Sequence, residues 1–149
     1  MEINGLPLHA LVIHGAVVFG PLSALTGILY AVVPRWRDRL RWPLAVLAAI
    51  AVGAVWAAYL TGEQLVDANT YGGPLAELVE THQDRAEILR LAASAFAVVS
   101  FVAAWWHPRG GALRNVLAAL VGVGAAVTLV YVVLVGDAGA QIAWYGVNG

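Results

Sequence analysis

Residues 113–135 read LRNVLAALVGVGAAVTLVYVVLV. Past Arg114 this stretch has no charged side chain, and it is long enough for the ~20 helical residues that cross a ~30 Å hydrocarbon core. Three more stretches share its character: Leu8 to Val33, Trp42 to Gly62 and Ala86 to Trp106, none charged in its middle. The chain is 61% hydrophobic and 11% charged, with a mean hydropathy of +0.79. Soluble domains are nearer half apolar and a quarter charged. The expected fold is an all-α integral membrane four-helix bundle forming one domain over residues 1–149, with helices near 8–33, 42–62, 74–106 and 113–135.

Helix 1 is expected to stay in the mature protein. It has no basic segment before it, and its apolar span exceeds the ~7–15 residues of a signal-peptide core. The absence of cysteine excludes disulfides and thiolate metal sites. A net charge of −1 gives no reason to expect a nucleic-acid partner.

The arginines set the expected orientation. Arg35, Arg37, Arg39, Arg41, Arg109 and Arg114, against Asp38 alone, give +5 on one side. Glu2, Glu63, Asp67, Glu77, Glu80, Asp84, Glu87 and Asp137, with Arg85 and Arg90, give −6 on the other. Cytoplasmic loops are the basic ones. Both the N-terminus and the C-terminus, with the 63–85 connection, are therefore expected outside, in a bacterial cytoplasmic membrane. Trp36, Trp42, Trp105 and Trp106 form an aromatic belt on the basic side, and Tyr71, Trp144 and Tyr145 lie on the acidic one.

Pro34 and Pro43 bracket the first inner turn, and Pro108-Arg109-Gly110-Gly111 breaks the chain at the second. Pro21 removes a backbone hydrogen bond inside helix 1. Gly72-Gly73-Pro74 is expected to start helix 3, which then extends beyond the membrane on the outer side as an amphipathic segment. Small-residue pairs Gly20/Ala24, Ser23/Gly27, Ala93/Ala97 and Gly122/Ala126 mark the expected close helix contacts.

The helices also serve as rulers. Counting ~20 residues from the basic side at ~1.5 Å each ends near His14, at Gly62 beside Glu63, at Ala86 beside Arg85 and His82, and near Leu134 before Asp137. His9 lies five residues further out, between one and two turns. The candidate cluster is thus His9, His14, Glu63, His82, Arg85 and Asp137, with Arg85 pairing to Glu63 or Asp137. His9 and His14, five residues apart, do not share one face. His14, His82 and Glu63 are the candidate metal ligands, since imidazole suits Zn, Cu, Fe or Ni. Haem between two histidines of facing helices is the other cofactor class.

The opening Ile3-Asn4-Gly5-Leu6-Pro7-Leu8-His9-Ala10-Leu11-Val12-Ile13-His14 resembles the bacterial membrane-protein family catalogued as domain of unknown function 2231, and the likeness runs over nearly the whole chain. Thr61-Gly62-Glu63 matches the family's turn after helix 2, Glu80-Thr81-His82 its histidine before helix 3, and Gly136-Asp137-Ala138-Gly139 its glycine-rich segment after helix 4. Fusion of some relatives to Rieske-type iron–sulfur domains implies redox membrane chemistry. This chain departs from the pattern at Ala10 and at Gly15-Ala16, where relatives carry Pro and a Phe-Pro pair, and it lacks their C-terminal histidines.

Two functional classes follow. In one, the outer cluster binds a metal ion, haem or quinone and works with a redox or other membrane protein. In the other, the protein is a membrane scaffold or accessory subunit with no bound cofactor. The lipid bilayer is a partner in both, and a homo-oligomer is compatible with either. No hydrolytic motif is present, so no catalytic residue is assigned and an enzyme is not expected.

Overall fold

The protein, represented by a computed structural model, is described over residues 2–3 and 6–146, with side chains from Leu8 onward. Asn4 and Gly5 of the opening motif lie outside the described residues. Strands β1 (Glu2–Ile3) and β2 (Leu6–Pro7) pair antiparallel, Ile3 opposite Leu6. Four helices follow: α1 (Leu8–Val32), α2 (Arg37–Asp67), α3 (Pro74–Trp106) and α4 (Gly111–Ala143). All four are long and apolar enough to cross a membrane. Short 3-10 turns, Pro34–Trp36 and His107–Arg109, join α1 to α2 and α3 to α4.

The helices run further than their apolar cores. α2 begins at Arg37, not Trp42, and continues to Asp67; α4 runs to Ala143. Hydropathy marks where lipid ends, whereas a helix ends where its backbone hydrogen bonds find another partner. Asp38 in the first turn of α2 favours the earlier start by facing the positive end of the helix dipole. Pro43 is accommodated inside α2. At ~1.5 Å per residue, α2, α3 and α4 are about 46–50 Å long and outreach a ~30 Å core. Gly73 and Gly110, with φ of 58° and 67°, sit immediately before α3 and α4 in a conformation that a side chain would strain.

α1 packs on α2 and α4, and α3 packs on α2 and α4, so α1 and α3 stand diagonally across the bundle. The core near the basic end centres on Tyr30, Leu44, Phe96 and Val121. Close approach between α1 and α4 depends on glycine. A methyl at Gly27 would lie 3.0 Å from Ala125 of α4 and 2.9 Å from the Phe96 ring of α3, one at Gly122 2.9 Å from Ala31, and one at Gly20 2.9 Å from Val132. Ala125, not Ala126, is buried in this seam. At most 33% of the residues in each apolar window are buried, and Val98, Phe101, Val123 and Val133 face outward. Such a surface is stable where lipid covers it.

The basic end is closed by side chains. Arg37 donates from Nε to the Tyr30 carbonyl (3.0 Å), from Nη2 to the Ala31 carbonyl (2.9 Å) and from Nη1 to Asn115 Oδ1 (2.8 Å). A guanidinium thus caps the carbonyls that α1 leaves open at its C-terminus, where the helix dipole also favours a cation. The Tyr30 hydroxyl meets His107 Nδ1 at 3.3 Å, and His107 Nε2 lies 3.9 Å from Asp38.

Candidate functional site

At the acidic end the four helices do not close. They surround a cavity of about 480 Å³ whose walls are mostly Ala, Val, Leu, Ile and Gly. Val55, Leu89 and Val132, part of a second core cluster, form its wall toward the basic end. His9 and His82 are among the few polar lining residues, with Glu63 and Gln83.

The two histidines are held in the same way. His9 on α1 donates its Nδ1 hydrogen to the Ala58 carbonyl of α2 (3.0 Å), with Thr61 Oγ1 at 3.3 Å. His82 on α3 donates its Nδ1 hydrogen to the Val135 carbonyl of α4 (3.1 Å). A carbonyl can only accept, so each ring carries a proton on Nδ1. Nε2 of each ring has no hydrogen bond among the described residues, and a neutral imidazole then presents its lone pair there. Both rings line the same cavity.

Glycine makes room for both rings. A methyl at Gly62 would lie 3.2 Å from His9 Cε1, and one at Gly139 would lie 3.2 Å from His82 Cε1. In each half the glycine follows the accepting carbonyl by four residues, Ala58 to Gly62 and Val135 to Gly139. Each pair therefore stacks one turn apart on the helix face toward its histidine. The hairpins α1–α2 and α3–α4 thus repeat one arrangement: histidine on the first helix, carbonyl and glycine on the second.

Of the other sequence candidates, Glu63 lines the cavity and accepts from Gln83 Nε2 (3.1 Å). Arg85 donates to the Leu134 carbonyl (3.0 Å) and lies 3.8 Å from Asp137, which also accepts from Gln141 (2.9 Å). Neither Arg85 nor Asp137 lines the cavity. His14 is exposed, its Nδ1 bonded to the Ala10 carbonyl of its own helix (2.9 Å). The trio of His14, His82 and Glu63 is therefore not assembled. Depth alone groups these three, and at that depth α1 turns His14 outward while His9, further along, turns in. Among the described residues no three His, Asp or Glu side chains gather in a way that could hold a bare metal ion.

Sequence reasoning missed Gly62 and Gly139 as packing partners of the rings, and missed both carbonyl acceptors. Thr61-Gly62-Glu63, expected as a turn after helix 2, lies inside α2, and its glycine admits the His9 ring. A backbone carbonyl, present at every residue, gives no signal in the sequence.

A family model described as a predicted membrane protein, DUF2231, matches residues 5–148. No curated protein and no solved structure matches the chain.

Proposed function

The chain belongs to this DUF2231 family of predicted membrane proteins, and from that premise we propose that it is a small electron-transfer protein in which His9 and His82 hold one haem. The observation that carries this reading is the pair of imidazoles on diagonal helices, both lining one apolar cavity and both with Nδ1 committed to a carbonyl. Nε2 then remains for iron on each side. A carbonyl behind each ring is the outer-shell arrangement that fixes tautomer and orientation in metal-bound histidines.

Haem suits this donor set better than a bare ion does. Structural zinc takes about four protein ligands, whereas haem brings four nitrogens of its own and asks the protein for axial ligands only. The apolar walls suit the porphyrin, and Glu63 and Gln83 mark a polar edge. If haem binds here, His9 and His82 would hold it, and it would supply one-electron transfer. The orientation that we adopt puts the acidic end outside, because the arginines at the other end follow the positive-inside bias.

The test is purification in detergent after expression with added haem, followed by oxidised and reduced spectra and metal analysis. The expected result is one haem per chain with a bis-imidazole spectrum. His9→Ala and His82→Ala should each lose it, while His14→Ala keeps it. A wild-type protein that folds but shows no Soret band would sink the proposal, as would a band that survives in both cavity variants. Stoichiometric zinc or copper with no haem would favour metal binding, and absence of both would favour the scaffold.

A further inference from the structure

The cavity has an asymmetric wall. Four of its lining residues are exposed to the surroundings: Val17 on α1 and Gly136, Ala140 and Ala143 on α4. The lining residues of α2 and α3 are all buried or half-buried. The opening therefore lies on the α1–α4 side, and its exposed rim is apolar.

The glycine contacts explain why this seam opens where it does. From the basic end α1 and α4 are in close approach at Ala31/Gly122, Gly27/Ala125 and Gly20/Val132. Past that point a methyl at Gly136 would meet nothing within 4 Å, and one at Gly15 would meet Ala54 of α2, at 3.3 Å. α1 thus leans on α2 beyond Gly20, where His9 also bonds to α2. Pro21 sits at the change of partner and lacks the N–H that would tie that turn.

Depth places the lower part of this opening against lipid. Val17 lies about 24 Å along α1 from Val33, inside a ~30 Å hydrocarbon core, and Gly136 about 33 Å along α4 from Arg114, at the headgroup layer above it. Ala140 and Ala143, about 39 and 44 Å along α4, carry the rim further outward.

We infer that the cavity opens sideways into the bilayer between α1 and α4, and that its haem enters from the lipid phase through this mouth. This rests on the haem reading for the identity of the ligand, but the opening itself is testable without haem. The chain has no cysteine, so Ile13→Cys carries a single spin label at the cavity, and Ala10→Cys provides a second position. In liposomes, power saturation compares collisions with oxygen, which concentrates in lipid, and with a nickel chelate confined to water. Oxygen access exceeding chelate access at the labelled site is the expected result. The reverse ranking overturns the lateral mouth, whether or not haem binds.

The second arm follows the Soret band of apoprotein in liposomes mixed with haemin-loaded donor liposomes. Ala140→Trp, which places an indole on the rim, should slow both haem loading and haem loss several-fold, and slower loading with faster loss counts against this route. Loading at the wild-type rate overturns entry by this route. A wild type that never develops a Soret band defeats the haem reading, and the oxygen measurement then still decides the mouth.

Discussion

The two ends of this bundle use the same kinds of side chain in opposite ways. At the basic end His107 has both ring nitrogens facing polar groups, and three nitrogens of Arg37 donate to carbonyl oxygens. At the acidic end His9 and His82 each satisfy one nitrogen and leave the other beside a cavity. Burial and hydrogen bonding alone do not separate the two cases. Unused bonding capacity next to unfilled space does. A polar group that only holds a fold together tends to be fully engaged, because each unmet bond in a dry interior costs about 1–3 kcal/mol.

This contrast is most exposed to test at Arg37. Arg37→Ala strips partners from two carbonyls and from Asn115, and is expected to lower stability in detergent by about 3 kcal/mol. Thermal unfolding of the apoprotein reads this directly, and a loss no larger than that of an acidic-end variant would erase the distinction. His107→Ala, a milder change at the same end, removes one neutral partner of Tyr30 and should cost about 1 kcal/mol. The spectrum of the haem form should not change with it; a shifted Soret band would mean that the two ends are coupled. His9→Ala or His82→Ala should likewise cost the apoprotein about 1 kcal/mol or less, one neutral hydrogen bond, although each is expected to abolish haem binding. The smallest stability effect comes from the ring supports. Gly62→Ala or Gly139→Ala pushes a ring by a few tenths of an ångström, and haem affinity should fall about tenfold, within the usual range for outer-shell changes. Titration of apoprotein with haemin measures it, and unchanged affinity would show that the glycines set no ring position.

Much of the architecture was legible because lipid imposes it. The apolar windows, the proline and glycine breaks and the arginine asymmetry each answer to one physical demand, and the four helices follow from the first two. The ends of α2 and α4 were harder. Arg37 to Arg41 is a polar helical turn, and hydropathy does not distinguish such a turn from a loop. For the site, depth was informative and rotation was not. Helices that face lipid on one side and a bundle on the other are apolar all round, so no amphipathic pattern tells that His9 turns inward and His14 outward. The ring partners were hidden for another reason: Ala58 and Val135 act through their carbonyls, which any residue would supply.

The repeated arrangement of histidine, carbonyl and glycine in the two hairpins gives the site an approximate symmetry. α1 and α3 run the same way, as do α2 and α4, so the hairpins are related by an axis along the bundle, the parallel kind of internal repeat that membrane proteins also build by duplication. Two copies of a single hairpin, paired about that axis as a symmetric dimer, would present the same two rings to one cavity. Here one polypeptide carries both halves, and the symmetry is broken at Glu63 and Gln83, whose positions across the axis hold Ala140 and Ala10.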